Sequence, residues 1–292
     1  MNLLYAQVSK LFLIDKPAGL SSFSALKQLK KSLGTGKVGH AGTLDPFATG
    51  LLLALSGKLT RLSGPLSRMD KRYEALLRFG EETDTLDSEG SLRYSAPIPQ
   101  IDDIIQASKA FSGDILQVPP AYSAIKIGGK RAYAEARRGK TVDIPARRVH
   151  INSFEIIDWN APELRVRVQC SSGTYIRAIA RDLGIATGSR AFCSGLRRTA
   201  IGNFDVDDAT APADQNSSSG VEAVEFLERL GAVVRVIDEE TAEGLHRGLN
   251  PERMGLLAGP EAPLILYVDF NNKPVALLES RESRLSYKVV FD

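Results

Sequence analysis

Asp45 sits in GHAGTLDPFATG (residues 39–50), a segment whose residue types present a side chain instead of burying it. Gly39, Gly42 and Gly50 permit close backbone approach or positive φ, while Pro46 fixes its own φ and pushes Asp45 away from helical conformation. Asp-Pro is also ordinary turn punctuation, and most such pairs in loops do no chemistry. The neighbourhood favours a site. His40, Thr43 and Thr49 add polar groups to a loop that runs straight into the apolar LLLAL, and polar loops feeding buried elements are common mounts for function.

Two further residues fit the chemistry of an ionised carboxylate. In SSGTYIRAIARDLG, Arg177 follows Tyr175 by two residues near the start of an expected helix. An arginine keeps its charge and the helix start is already positive, so an anion is its natural neighbour. If that anion is Asp45, the pairing lowers the carboxyl pKa by about 1–3 pH units and holds it ionised at neutral pH. The competing reading is a surface arginine, the commoner fate at a helix start. Tyr73 also has two readings. It is a core aromatic by base rate, or it is an aromatic face for a base, with Lys71 and Arg72 beside it for phosphate. The pair Arg197-Arg198 agrees with the second.

Other chemistries fail on spacing. Arg138-Gly139-Lys140-Thr141 contains the GKT that ends a phosphate-cradling loop, but the required earlier glycine falls on Ala134. Gly34-Thr35-Gly36 has no strand before it and no third glycine at dinucleotide spacing. Cys170 and Cys193 cannot make a disulfide framework, and with His40, His150 and His246 they show no metal-ligand spacing. The expectation is an activity free of metal and cofactor in a reducing cytoplasm. No apolar run approaches the roughly 18 residues of a membrane span, and Lys10 interrupts MNLLYAQVSKLFLID before a signal-peptide core can form. Export and membrane insertion are not expected.

The elements that must position these residues are legible in outline. LFLID (Leu11 to Asp15) reads as a buried strand, KPAGLSS as a turn whose serines cap a helix from Phe23 to Leu33. After the apolar Leu51 to Leu55 comes a strand from Tyr73 to Phe79 with imperfect alternation, then an acidic loop from Gly80 to Gly90. Ile101 to Phe111 reads as helix, Val118 to Ile127 as extended, Gly128-Gly129 as a hairpin turn and Arg131 to Arg138 as a basic helix. Strands Val149 to Ile157 and Leu164 to Cys170 precede a helix from about Tyr175 to Leu183, with Ser171, Ser172 or Thr174 as its cap. Successive strands joined by short turns predict a mixed α/β (α+β) architecture, a largely antiparallel mixed sheet flanked by helices. Gln215 to Gly220 reads as the best linker candidate or as a long loop inside the main domain, followed by an amphipathic stretch near Val221 to Leu230. The β-rich VVRVI, LILYVDF, VALLES and YKVVFD make residues 232–292 a small C-terminal domain beside a catalytic domain of residues 1–231.

The net charge of +2 conceals segregation. Lys126 to His150 carries eight Lys/Arg against two acids, and Arg165 to Arg198 seven against one. Glu81 to Asp103 carries seven acids against one arginine, and Asp205 to Glu243 eleven against two basic residues. Basic segments folded onto one face make a footprint for a polyanion; each run is otherwise a solvated face.

Taken in order, LFLIDKPAGLSS, VGHAGTLDPFATG, KRYEALLRFG, PPAYSAIKIGGKRAYAEARRGK, SSGTYIRAIARDLG and LRRTAIGNF resemble the bacterial TruB-type tRNA pseudouridine synthases, from roughly Leu11 to Phe204. The resemblance implies the pseudouridine synthase fold and isomerisation of the T-loop uridine at position 55 of tRNA, by base flipping and with no cofactor. Asp45 matches the family's essential aspartate, which attacks the ribose or removes a ribose proton. Tyr73 matches the tyrosine that stacks on the target base and assists proton removal from carbon 5, and Arg177 the arginine paired with the aspartate. His40, Tyr175 and Leu196 match positions that contact the flipped nucleotide or fill the space it leaves. Lys16 with Pro17 matches a supporting motif and is grouped with the substrate-binding residues. The last sixty residues stand where that family carries an RNA-binding PUA-like domain, an assignment made by position. The implied partner is the T-stem-loop of tRNA, with no obligate protein partner; the absence of heptads or an obvious exposed apolar stripe in the sequence leaves a monomer as the default.

Overall fold

The computed structural model describes residues 9–291 except 35, 124, 128, 129, 134–137, 139–142, 259–262 and 283, and describes only the backbone at residues 126, 127, 130 and 131. Among the described residues, ten strands form one sheet. Its main path takes β1 (Lys10–Lys16), β3 (Thr49–Ser56), β4 (Lys71–Phe79), β7 (Gly113–Gln117), β10 (Arg147–Asn160), β11 (Glu163–Cys170), β12 (Ala191–Ile201) and β14 (Val221–Glu222) in the order β14-β1-β3-β12-β4-β11-β10-β7. Beside that path, β2 (Val38–Ala41) pairs with β3, and β13 (Phe204–Asp205) with β12. Only the β12–β3 pair is parallel, so the sheet is mixed and largely antiparallel, as the succession of short turns predicts.

The strands follow their side-chain patterns. In β3, TGLLLALS is buried at every position from Gly50 onward, because this strand is covered on both faces and needs no polar alternation. On one face lies α1 (Ser22–Leu33), which sets Ala25, Leu26 and Leu29 against Phe12, Ile14, Leu52 and Ala54. Its ends obey local chemistry: the Ser21 side chain accepts from the Ser24 N–H at 3.1 Å, and Gly34 closes it at φ 62°. The opposite face of β1 and β3 packs Leu11, Leu51, Leu53 and Leu55 in one core with Leu266, Val268, Leu277 and Val289 of the C-terminal sheet. That sheet runs β15-β16-β17-β18 (Val233–Val236, Leu264–Val268, Pro274–Arg281, Arg284–Val290). Each such fully buried aliphatic side chain contributes about 1.5–3 kcal/mol, so the C-terminal sheet is fastened to the main one by a continuous apolar core.

The second core carries the elements nearest Asp45. Strand β4 alternates regularly, with Lys71, Tyr73, Ala75, Leu77 and Phe79 buried, so the imperfect alternation expected from Tyr73 onward gives way to a strand that starts two residues earlier. The helix Ile176–Ala186 lays Ile179, Ala180 and Leu183 over this row and over Val166 and Val168 of β11.

Several expectations change. Gly80 to Gly90 is not a plain acidic loop. β5 (Glu81–Thr83) pairs with β6 (Leu92–Ser95) into an arm, and Arg78 and Arg190 neutralise Glu81 and Glu82 at 3.3 and 3.4 Å. The helix Ile176–Ala186 is capped by none of Ser171, Ser172 and Thr174; Tyr175 is its N-cap residue and a remote glutamine satisfies its backbone. Gln215 to Gly220 is a packed loop and not a linker, since the buried Gln215 donates to the Leu13 carbonyl and to Thr210 Oγ1, both at 2.7 Å. Val118 to Ser123 is irregular, with the extended part reduced to β8 (Lys126–Ile127), which pairs with β9 (Lys130–Arg131). The Gly128-Gly129 turn and most of the basic helix expected over Arg131 to Arg138 lie outside the described residues. No helix among the described residues is long and apolar enough to cross a membrane.

Gly50 is where the Asp45 loop meets the sheet. Its φ is 101°, and an added Cβ would lie 2.3 Å from the Arg198 carbonyl oxygen. Gly50→Ala is expected to lower stability by about 2 kcal/mol or more in denaturant titrations. The exposed Gly36, with ordinary φ and nothing within 4 Å of an added Cβ, should accept alanine within about 0.5 kcal/mol.

Candidate active site

The Asp45 loop is fastened by groups from α1 and β1. Ser22 Oγ accepts from the Leu44 N–H at 2.8 Å and donates to the Leu44 carbonyl at 3.0 Å. The Gly19 N–H donates to the Pro46 carbonyl at 2.9 Å. Lys16, fully buried at the end of β1, donates to the carbonyls of Pro17, Leu20 and Pro46 at 2.8, 2.7 and 3.2 Å. Burial pulls its pKa down to about 8, opposed by the negative charge of Asp45. From the sheet side, the buried Arg198 of β12 donates to the carbonyls of Leu51, Gly42 and Thr43 at 2.8, 3.1 and 3.4 Å. The aspartate backbone is thus held on both sides.

Its side chain meets Arg177. The Arg177 Nη2 lies 2.9 Å from Asp45 Oδ2, and Nη1 lies 3.1 Å from Asp87 Oδ2. The same two nitrogens donate to the carbonyls of Thr85 at 2.7 Å and Tyr122 at 2.9 Å. Arg177 and Asp87 are buried, whereas the Asp45 side chain is 35% exposed. The pairing expected between Asp45 and Arg177 is present, but its expected consequence is reversed. Burial raises the Asp45 pKa above its ordinary 3.8, Arg177 only partly offsets this, and the charge of Asp87 adds to the rise. One guanidinium serves two carboxylates, so neither receives its full charge.

Asp45 lies between two cavities. The first, about 270 Å3, is lined by Asp45, Tyr73, Tyr175, Arg177, Leu196 and Arg198 among others. The second, about 570 Å3, is lined by Asp45 with His40, Asp87, Glu89, Tyr133 and Arg177. Tyr73, Tyr175 and Leu196 therefore converge with Asp45 and Arg177 in one cavity, and His40 opens onto its neighbour. Burial pushes the Tyr73 phenol above its ordinary pKa against the opposing charge of Arg198, which keeps it protonated at neutral pH. Burial, with Arg198, pushes His40 down, so its imidazole is neutral there. Lys16 lines neither cavity. Its ammonium is spent on carbonyls beneath the loop, the supporting place that its motif implies.

The structure adds one group that the sequence reading passed over and gives another a different setting. Asp87 lay hidden in an acidic stretch whose composition suggests a solvated loop. Its carboxylate is fixed by Thr85 Oγ1 at 2.6 Å and the Glu89 N–H at 3.1 Å. Lys71 lines the smaller cavity, bonded to the carbonyls of Ser67 and Met69, with burial lowering its pKa to about 8. No local motif marked Asp87, whereas Lys71, read beside Tyr73 as a cation for phosphate, is bonded to carbonyls instead. Among the described residues, five buried side-chain polar atoms lack a partner, and four belong to His40, Ser123, Arg147 and Arg177. Three of these residues line the cavities, and Arg147 stacks on Tyr175, its guanidinium 5.0 Å from the ring centre. Unsatisfied polar atoms are rare in folded chains and gather where a ligand completes them.

The basic run from Arg165 to Arg198 is not a free phosphate footprint. Strand register puts Arg167 opposite both Glu74 and Glu155, and Glu74 accepts from Arg165 and Arg167 at 2.8 and 3.1 Å. Arg197 forms a two-bond pair with Asp15 at 3.0 and 2.8 Å, and Arg177 and Arg198 are buried. Acids from neighbouring strands occupy the arginines that look unopposed along the chain.

The raised pKa makes Asp45 a stability cost. Between 3.8 and the folded-state value the native protein binds more protons than the unfolded chain, so ionisation of Asp45 lowers stability as pH rises through that window. Asp45→Asn is therefore expected to be more stable than the wild type at pH 7. Thermal melts of variant and wild type should converge as pH falls below 3.8.

Comparison with known proteins agrees with this geometry. Residues 30–176 match the family described as TruB family pseudouridylate synthase (N terminal domain). A tRNA pseudouridine synthase B from Corynebacterium efficiens is 40% identical over 288 residues, which cover 96% of this chain and 95% of that protein. One from Aromatoleum aromaticum is 45% identical over 230 residues, covering 78% and 73%. Among solved structures, a chain of a Cbf5-Nop10-Gar1 complex superposes with a TM-score of 0.69 at 22% identity, over 99% of this chain and 86% of that one, a likeness of fold. With half its length in the family match and a relative aligned nearly end to end, the chain belongs to the TruB family of pseudouridylate synthases.

Proposed function

We propose that this chain isomerises the uridine at position 55 in the T-loop of tRNA to pseudouridine, with Asp45 as the catalytic carboxylate. The observation that carries the reading is the Asp45–Arg177 ion pair at 2.9 Å beside a cavity walled by Tyr73, Tyr175 and Leu196. In the reaction the bond from N1 to ribose C1′ breaks, the base turns, a bond from C5 to C1′ forms, and the proton lost from C5 is balanced by one gained at N1. Attack on C1′ and removal of a ribose proton both require a carboxylate oxygen that is ionised and reachable. Asp45 is the one acid of the Asp45–Arg177–Asp87 group whose side chain is substantially exposed. Arg177 holds it in place.

The remaining roles follow from position. A uridine inside the stacked T-loop cannot reach Asp45, so the base must be flipped, at a cost on the order of a few kcal/mol. Tyr73 offers a ring face to the flipped base, and its protonated phenol makes stacking its resting-state task; accepting a proton from C5 would first require loss of its own. Tyr175 and Leu196 close the cavity around the nucleotide, and His40 presents a neutral imidazole from the neighbouring one. The unpartnered atoms of His40, Ser123, Arg147 and Arg177 are groups that RNA can satisfy. Backbone phosphates are met by Arg148, whose side chain is 77% exposed, and by the Lys126 to Lys140 segment. Residues 232–292 act as a PUA-like RNA-binding unit beside the catalytic residues 1–231. The protein works on tRNA in the cytoplasm as a monomer without a protein partner.

Purified protein incubated with unmodified tRNA, with nothing else added, should yield pseudouridine at the single T-loop position on a modification map. Several modified uridines, or none, would contradict the assignment. Asp45→Asn should reduce turnover on a T-stem-loop by at least about 1,000-fold, with RNA affinity within a few fold of wild type by filter binding. Retained turnover would remove Asp45 from the chemistry.

A further inference from the structure

We propose that Gln117 is a positioning residue for the reaction, setting the Tyr175 side chain in the cavity by clamping the Tyr175 backbone; this rests on reading that cavity as the uridine site. Gln117 ends the edge strand β7, is fully buried and lines neither cavity. Its amide is spent on a single residue. The Tyr175 N–H donates to Gln117 Oε1 at 2.8 Å, and Gln117 Nε2 donates to the Tyr175 carbonyl at 3.1 Å. A side-chain amide that bonds both backbone groups of one residue does the work of a neighbouring strand, here at a residue no strand reaches.

The clamp sits where the backbone changes course. Tyr175 is extended, with φ −106° and ψ 113°, and the next residue begins the helix that carries Arg177. A side-chain cap at this N-cap position would fix the entry angle, and none is present. The Tyr175 carbonyl also accepts from the Ala178 and Ile179 N–H groups of the helix at 3.1 and 3.2 Å, so the direction of the Tyr175 ring depends on the helix at its carbonyl and on Gln117 at both its carbonyl and its N–H. On either side of the clamp, Ser171 Oγ accepts from the His150 N–H at 2.9 Å, and Arg147 donates to the Gly173 carbonyl while stacking on the Tyr175 ring. Among the described residues, only Gln117 bonds Tyr175 through both of its backbone groups. Glutamate at 117 keeps the shape and the acceptor but sets a carboxylate oxygen against the Tyr175 carbonyl; asparagine is one carbon too short for both bonds.

Turnover on a T-stem-loop would be measured for wild type, Gln117→Glu, Gln117→Leu, Tyr175→Ala and the two double variants, with hydrogen exchange at the Tyr175 amide. Gln117→Glu is close to isosteric and guards against a leucine variant that does not fold. The expected result is a kcat loss of roughly 10-fold or more for either Gln117 variant, with KM within about 3-fold. In the Tyr175→Ala background the same changes should cost less than about 2-fold, because the path through Tyr175 is already gone. The Tyr175 amide should be protected in wild type and exchange rapidly in Gln117→Leu. Full kcat in the Gln117 variants, losses that multiply with Tyr175→Ala, or an amide still protected in Gln117→Leu would overturn the proposal. Absence of wild-type turnover would count against the uridine reading, while the exchange measurement still decides whether the clamp exists.

Discussion

A single buried guanidinium, that of Arg177, is the shared contact of both carboxylates beside the cavity. Its two terminal nitrogens face two carboxylates and two carbonyl oxygens while its Nε has no partner, so in direct contact one positive charge stands against two negative ones. Burial without full compensation is costly for an ionised carboxylate, and Asp45, the more open of the two, shows that cost as a raised pKa. Once ionised, a carboxylate of raised pKa is the stronger base. The rest of the architecture keeps it from relaxing.

That restraint comes from parts of the chain far apart in sequence. Ser22 and Gly19 seize Leu44 and Pro46 from one side, Arg198 takes the carbonyls of Gly42 and Thr43 from the other, and Lys16 closes the loop from below. Three of the cations around the loop, Lys16, Lys71 and Arg198, are occupied by backbone carbonyls, so their charge is available to the cavity while their hydrogen bonds serve the scaffold. A site held on strands and helix ends keeps its geometry before substrate arrives, which is the condition for electrostatic preorganisation. In the proposed function the affinity that extrudes the base comes from the surface, through exposed cations and phosphate.

What could be read from the sequence was whatever local chemistry encodes. The glycines and proline around Asp45 announce a presented carboxylate, the apolar LLLAL announces a strand covered on both faces, and the serines before Phe23 announce a capped helix. What could not be read depends on pairing across the fold. Asp87 looks like one acid among many until the β5–β6 arm carries it to Arg177. Gln117 is an unremarkable polar residue whose partner lies 58 residues on. The arginines of β11 look like a footprint for RNA because Glu74 and Glu155 belong to neighbouring strands. The direction of the Asp45 pKa was misjudged for a related reason: sequence displays charges, and burial outweighed the charge displayed.

The most direct test of the shared guanidinium is a titration of the Asp45 carboxyl carbon by NMR in the wild type and in Asp87→Asn. With Asp87 neutral, Arg177 belongs to Asp45 alone and a repelling charge is gone. The account predicts a wild-type midpoint above 3.8 that moves downward in the variant. A wild-type midpoint at or below 3.8, or one that Asp87→Asn leaves in place, would contradict it.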